Sequence, residues 1–178
     1  MRVYTAALYI IDALKIDDIA TVTNLSLNKL LYFAQGHYLA QTGELLFEDD
    51  VEAWNYGPVV PTVYHWCKAF GSAPIICVDD MRIEEPDKFE TAVLNDVIRE
   101  YGKYSASYLV ALSHADGSPW SLVKLNDVIP PELMLDYFTK HPLEISDDEM
   151  EADCIRFDEI MDSFSEDDYI SEDDAFGL

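Results

Sequence analysis

The segment around residue 114 contains the three residue types of a catalytic triad. His114, Asp116 and Ser118 could serve as general base, orienting acid and nucleophile. A triad needs these side chains to converge around an oxyanion site, yet here they occupy five consecutive positions. The same residues fit a junction between helices, with His114 at a helix C-terminus, where the dipole favours a cation, and Ser118 capping a helix that begins at Pro119. The segment therefore predicts a helix junction, and we expect no catalytic residues.

Cysteine and histidine residues show no spacing typical of a metal site. Cys67 and Cys77 are ten residues apart and Cys154 is remote, whereas zinc sites usually contain closely spaced pairs. His65 and Cys67 lie two apart on a predicted helix and therefore face different directions. No glycine-rich phosphate loop is present, so we expect neither metal nor cofactor. Three cysteines without paired spacing favour a reducing cytoplasm over a disulfide framework.

A second candidate segment places two amphipathic aromatic residues beside a turn. Trp54 and Tyr56 precede the Gly57-Pro58 pair. Tryptophan and tyrosine are enriched at the energetic centres of protein interfaces. The alternative is that both rings pack the loop onto the core while Gly57 and Pro58 shape the turn, since large aromatic side chains are usually well buried.

Most of the first 143 residues have the periodicity and the end signals of helices. Apolar spacing, capping residues, glycine and proline predict helices over 3–14, 26–42, 61–70, 88–101, 106–114 and 131–140, with a further helical start after Ser118. The segment 26–42 is apolar nearly all round, which is typical of a buried helix at the centre of a core. Residues 47–56 could form a short strand or hairpin, and 75–78 a second short strand. The sequence thus predicts a mainly α, compact single domain with a short β-hairpin.

Acidic residues dominate the charge of the chain. It has 35 acidic and 11 basic residues among 178, a formal net charge of −24. Residues 144–178 hold 15 acidic residues against one base, Arg156, while residues 1–143 hold 20 acidic and 10 basic residues. Such a field repels nucleic acids and anionic membranes and favours basic partners. The N-terminal apolar run is too short and interrupted for a signal peptide or a membrane span.

The acidic extension has a pattern of its own. Ser146 to Glu149 reads as a capping box that opens a helix to residue 164, and residues 165–178 read as a disordered acidic tail. The helix carries an apolar stripe at spacings of four, three, four and three, formed by Met150, Cys154, Phe157, Met161 and Phe164. The stripe could be a last core helix or a docking helix for a partner.

Four stretches, in this order, resemble one known family. They are residues 27–36 (LNKLLYFAQG), 52–59 (EAWNYGPV), 101–105 (YGKYS) and 114–120 (HADGSPW). Their order and spacing resemble the Panacea domain of SocA-like antitoxins and related prophage proteins, over roughly residues 3–140. The resemblance implies a mainly helical domain, 1–143, that sequesters a toxin protein. It also implies a variant mechanism, since at least one member delivers its toxin to a protease. The extension 144–178 lies outside the shared pattern.

Two functions of different class follow from these observations. The four stretches favour an antitoxin that binds a cognate, basic toxin through 1–143, whereas the charge favours a polyanion mimic that inhibits a nucleic-acid-binding protein. A hydrolase built on His114 and Ser118 is the third and weakest hypothesis. The candidate partner-binding residues are Trp54, Tyr56, Gly57, Pro58, His114, Trp120, Phe157 and Met161.

Overall fold

The computed structural model describes residues 1–16, 22–76 and 84–143. These residues form the following elements: α1 (Val3–Ile16), α2 (Asn24–Thr42), β1 (Glu52–Trp54), β2 (Gly57–Val59), α3 (Pro61–Cys67), α4 (Lys88–Tyr101), α5 (Ala106–Ser113) and α6 (Pro131–Lys140). Single 3₁₀ turns cover Lys68–Phe70 and Pro119–Leu122. The prediction of a mainly α fold with a short hairpin is confirmed. The predicted helix 146–164 and tail 165–178 lie outside the described residues.

Helix α2 forms the centre of the core, as its apolar composition predicts. Fifteen of its 19 residues are buried, and every other helix packs against it or against its neighbours. The helix begins two residues earlier than predicted. Thr23 is the N-cap and Ser26 is the third helical residue, each side chain bonding the backbone N–H of the other in a capping box. Ser26 is therefore part of the cap, although it is not the cap residue.

Helix α6 crosses α2 at an unusually close contact. A Cβ atom on Gly36 would overlap the ring of Phe138, so the absence of a side chain at this position allows the ring to lie against the backbone of α2. Phe138 also contacts the rings of Tyr32 and His37 in edge-on geometry. This contact fixes α6, and with it the loop that precedes α6, relative to the central helix.

The hairpin lies later in the chain than predicted. β1 pairs antiparallel with β2, with Trp54 opposite Gly57 and a two-residue turn at Asn55 and Tyr56. The alternation over 47–56 marks only the entry to the hairpin, because the returning strand contains Gly57 and Pro58, which are poor strand formers. The predicted strand at 75–78 is wrong for Ile75 and Ile76, which are irregular. Ile75 donates a backbone hydrogen bond to Val22, and residues 77 and 78 lie outside the described residues.

Two further elements are shorter than predicted. The helix that begins at Pro61 tightens into a 3₁₀ turn after Cys67, and the helical start after Ser118 is one 3₁₀ turn. The predicted helix starts at Asp87, Ser105 and Pro131 are confirmed. Local capping signals therefore located most helix ends, while the length of the short turns depends on tertiary packing.

Candidate protein-binding site

Two polar side chains of α2 hydrogen-bond to the outer edge of β2. Asn28 Oδ1 accepts a hydrogen bond from the N–H of Val60 at 2.9 Å, and Lys29 Nζ donates to the carbonyl of Pro58 at 2.9 Å. All four residues are buried. A buried strand edge needs partners for its backbone groups, which another strand would ordinarily supply. Here the central helix supplies them, and the hairpin is therefore fixed directly to the core.

Lys29 is an ammonium group placed in the interior of the protein. The side chain is completely buried, so the outward snorkelling expected of a lysine on a buried helix does not occur. Burial lowers the pKa of Lys29 to about 7. Among the described residues its hydrogen-bond acceptor is the carbonyl of Pro58, with no carboxylate in an ion pair.

Gly57 is closely surrounded by polar side chains. A Cβ atom there would lie 2.5 Å from Ser113 Oγ, 3.0 Å from Lys29 Cε and 3.2 Å from His114 Cε1. Its φ of 91° is also unfavourable for any residue with a side chain. Gly57 therefore permits both the turn and the close approach of α5 to the hairpin. Gly57 and Pro58 are buried beneath the turn, whereas Asn55 at its tip is exposed.

His114 links the end of α5 to the turn. Its Nδ1 lies 2.7 Å from the carbonyl of Val110, and its Nε2 lies 3.3 Å from the carbonyl of Asn55. Burial lowers the pKa of His114 and the charge of Lys29 lowers it further, while the two carbonyl contacts act in the opposite direction. Desolvation thus outweighs the two carbonyl contacts, so burial disfavours the cation that the position at a helix end would favour.

The serine, histidine and aspartate of the triad-like segment do not converge. Ser118 Oγ donates to the carbonyl of Ser113 at 2.9 Å and caps the 3₁₀ turn, as the helix-junction interpretation predicts. Asp116 is exposed, and the ring nitrogens of His114 face backbone carbonyls. Ser113 Oγ lies 3.3 Å from His114 Nδ1, but this buried hydroxyl donates to the carbonyl of Val110 at 2.7 Å.

Trp120 attaches the loop after α5 to the hairpin. Its indole Nε1 donates to the carbonyl of Trp54 at 2.8 Å, and its ring lies against His114 with centroids 3.7 Å apart. Trp54 in turn donates to the carboxylate of Glu52 at 2.7 Å and contacts the ring of Tyr64 edge-on. Two predicted site residues that are separated by 66 positions in the chain are thus neighbours in the fold.

We define the hairpin surface as Trp54, Asn55, Tyr56, His114 and Trp120. Asn55 is exposed and the four ring side chains are half-buried. Each ring therefore packs partly on the domain and keeps part of its surface accessible, and its role in binding stays a prediction. The remaining predicted site residues, Phe157 and Met161, lie outside the described residues.

Sequence reasoning missed the residues that support this surface from below. Asn28, Lys29 and Ser113 are not among the candidate residues that the sequence predicts. The available signal was the presence of two adjacent polar residues, Asn28 and Lys29, in a helix that is otherwise apolar nearly all round. Buried polar residues of this kind are rare unless they hydrogen-bond a specific group.

Neither of two other kinds of site, a cleft or a metal-binding cluster, coincides with the hairpin surface in the described structure. One cleft of about 550 Å³ is lined by residues 1–4, 45–49, 62 and 84 and includes no residue of the hairpin surface. Within the described ranges, no three histidine, cysteine, aspartate or glutamate side chains are grouped as a metal site would require. No helix in these ranges is long and apolar enough to span a membrane.

Comparisons with known proteins identify relatives for the central part of the chain. The family model described as "Antitoxin SocA-like, Panacea domain" matches residues 27–121. Antitoxin SocA of Caulobacter vibrioides (strain NA1000 / CB15N) is 38% identical over 114 aligned residues, which cover 57% of this chain and 60% of that protein. The match thus spans less than two thirds of the relative's length. No solved structure matches significantly.

Proposed function

This chain belongs to the SocA-like antitoxin family with a Panacea domain, and we propose that it is itself an antitoxin, which neutralises a cognate toxin by direct protein–protein binding. The observation that carries the proposal is the convergence of three family-like stretches at the hairpin surface. Residues 29, 54–58 and 114–120 are held together by Lys29 under Pro58 and by Trp120 on Trp54. All of them lie inside the matched range 27–121.

The geometry of the hairpin surface suits binding. Its backbone is fixed by hydrogen bonds from buried side chains, so little conformational entropy remains to be lost when a partner docks. Half-exposed tryptophan, tyrosine and histidine rings present large apolar area with a polar edge, the combination enriched at interface hot spots. The triad-like residues make local hydrogen bonds, which favours a binding protein over an enzyme.

A cognate toxin with a basic surface would match the charge of this chain. A net charge of −24 accelerates the approach of a basic partner and disfavours nucleic acids. We propose simple sequestration as the mode of action. Delivery of the toxin to a protease is the variant mode, and it requires the same complex to form first.

Co-expression with the product of the adjacent reading frame tests the proposal. We expect growth to be rescued and the two proteins to co-purify in a defined stoichiometry. If growth recovers while the toxin disappears in a protease-dependent way, the adaptor mode applies. A toxin that remains abundant, free and inactive during rescue would refute direct neutralisation.

Tyr56→Ala tests the hairpin surface itself. Tyr56 lies at the tip of the turn and is half-buried, so we expect the variant to keep its circular dichroism spectrum and to weaken toxin binding at least tenfold. Trp54→Ala should weaken binding and also lower stability, because Trp54 contacts Tyr64 and Glu52. Exposed Thr139→Ala on α6 is the matched control. Unchanged affinity in a folded Tyr56→Ala variant would move the binding site elsewhere.

Inhibition by charge mimicry is the second candidate function, favoured by the net charge of −24. A mimic would bind mainly through its acidic residues, and its affinity would fall steeply with salt. An antitoxin that uses the hairpin surface would keep most of its affinity at high salt and would lose it on substitution of Tyr56. One salt titration with wild type and Tyr56→Ala therefore separates the two functions.

A further inference from the structure

The loop between Trp120 and α6 carries an exposed apolar strip. Leu122, Leu125 and Val128 are 61%, 52% and 41% exposed, and Leu135 on α6 is 37% exposed. These four side chains are a majority of the seven large apolar side chains that are exposed in the described ranges. Three of the four lie within residues 122–128, and grouped exposed apolar residues are typical of an interaction surface, whereas single ones are ordinary.

The backbone of this strip pairs with β1 through an isolated antiparallel bridge. The N–H of Ala53 donates to the carbonyl of Asp127 at 2.9 Å, and the N–H of Ile129 donates to the carbonyl of Val51 at 2.7 Å. Val128 lies between these bonds, opposite Glu52. In an antiparallel pair of this type, the N–H and carbonyl of the central residue point away from the partner strand. Both groups of Val128 thus face outward, and neither bonds to any other residue that the structure describes.

A β-bulge limits the length of this free edge. Asn126 has a φ of 67°, and its N–H donates at 2.7 Å to the carbonyl of Ala53, whose own N–H donates at 2.9 Å to the carbonyl of Asp127. Two residues therefore oppose one, with the first in the left-handed conformation, as in a G1 bulge. Bulges shorten usable edges and redirect side chains. The edge can accept a short extended segment, and the exposed leucines must supply the remaining contact.

We propose, on the basis of the antitoxin function above, that this edge strip, residues 122–129, binds a short extended basic segment of the toxin as an additional strand. The N–H and carbonyl of Val128 pair with the backbone of that segment, and its apolar side chains contact Leu122 and Leu125. Binding by strand addition in this way obtains affinity from backbone hydrogen bonds and specificity from alternate side chains.

Charge selects the basic segment over the other candidate occupants. Within the described ranges, the unpaired exposed charges on and beside the strip are Asp127 and Glu132 against Lys124, while Asp136 is paired with Lys140 at 2.7 Å. A second copy of the chain would bring another −24 to this acidic surface. The chain's own extension, residues 144–178, would bring −14, from 15 acidic residues and one arginine. Both would be repelled, whereas a lysine- or arginine-containing strand would be attracted.

A displayed library of random twelve-residue peptides, selected on the full-length protein, tests the proposal. We expect selected peptides to alternate apolar and basic residues. A synthetic peptide of the consensus sequence should shift the Val128 amide signal of the ¹⁵N-labelled protein and slow its hydrogen exchange, since that amide becomes hydrogen-bonded. Val128→Pro removes this donor and should weaken peptide binding at least tenfold, whereas Val128→Thr keeps the donor and should bind within about twofold.

A second pair of variants keeps the test decisive if Val128→Pro does not fold. Leu125→Ser should weaken peptide binding, while Leu45→Ser, at a similarly exposed leucine away from the strip, should not. The proposal is overturned if selected peptides are acidic, if they leave the Val128 amide unchanged, or if folded Val128→Pro binds them as tightly as wild type. A dimer in sedimentation velocity that Val128→Pro dissolves would assign the edge to a second copy and overturn it too. If these variants still rescue growth from the toxin, the proposed antitoxin function is supported even though the strand-addition proposal is refuted.

Discussion

Lys29 illustrates, at the scale of a single residue, a group that opposes folding at neutral pH. Its pKa is about 7 in the fold, against 10.5 for an unburied lysine. The unfolded chain therefore binds a proton that the folded chain does not, in the range between these values. Stability consequently rises as the pH increases from about 7 toward 10.5, and this contribution is lost as the pH falls to 7. The same side chain donates to the carbonyl of Pro58 and so helps to fix the turn.

Lys29→Met should remove this pH dependence. The methionine keeps most of the volume but leaves the carbonyl of Pro58 without its donor, a loss of about 1–3 kcal/mol. At pH 7 that loss is offset by removal of the buried amine, so we expect similar stability. At pH 10 wild type should be more stable by a few kcal/mol, because each pKa unit corresponds to about 1.4 kcal/mol. Urea unfolding of both proteins at pH 7 and 10 measures the difference, and parallel pH profiles would contradict the expectation.

His37 should control how much stability the protein loses at acidic pH. Its ring is buried against Phe138, its Nε2 lies 3.0 Å from the hydroxyl of Tyr101, and burial lowers its pKa from 6.5 to about 4. The unfolded chain gains the proton first, so stability is lost as the pH falls from about 6.5 to 4, by roughly 3 kcal/mol. His37→Gln should flatten the melting temperature over this range, while His65→Gln at an exposed position should not. An equal acid response in all three proteins would exclude His37 as the cause.

At the scale of the elements, the contact between α2 and α6 depends on Gly36. Gly36→Ala places a methyl group where the ring of Phe138 lies, so we expect a loss of about 1–3 kcal/mol or more from overpacking, despite alanine's higher helix propensity. Chemical denaturation of the variant measures this loss. Adding Phe138→Leu should recover part of it by making room, a coupling that a double-mutant cycle quantifies. Additive effects of the two substitutions would show that the two positions do not clash.

The elements also show which features a sequence reveals. Helix ends depend on adjacent residues, so Asp87, Ser105, Pro131 and Gly43 were sufficient to locate them. The hairpin was misplaced because its register depends on non-local contacts, namely the side chains of Asn28 and Lys29 from α2. The candidate site was found as separate segments by resemblance. Their convergence was not predictable, because it rests on Trp120 reaching the carbonyl of Trp54, 66 residues away.

At the scale of the whole molecule, the densest negative charge and the candidate contact surface occupy different parts of the chain. The hairpin surface lies within residues 27–121, whereas residues 144–178 hold 15 of the 35 acidic residues and lie outside the described residues. Attraction between proteins acts mainly before contact and raises association rates, while packed surfaces determine how long a complex lasts. We therefore expect these two parts of the chain to control different rate constants of the same complex.

Deletion of residues 144–178 tests this division. Loss of a −14 segment should slow association with a basic toxin and flatten its salt dependence, since the attraction is screened over a Debye length of about 8 Å at physiological salt. The dissociation rate should change little.

If the apolar stripe of 150–164 contacts the toxin, dissociation must accelerate sharply instead. If the stripe belongs to the core, the truncated protein must melt at a lower temperature without any partner. Association and dissociation rates at two salt concentrations, with one melting curve, distinguish these outcomes, and an unchanged association rate at low salt would refute electrostatic steering by this segment.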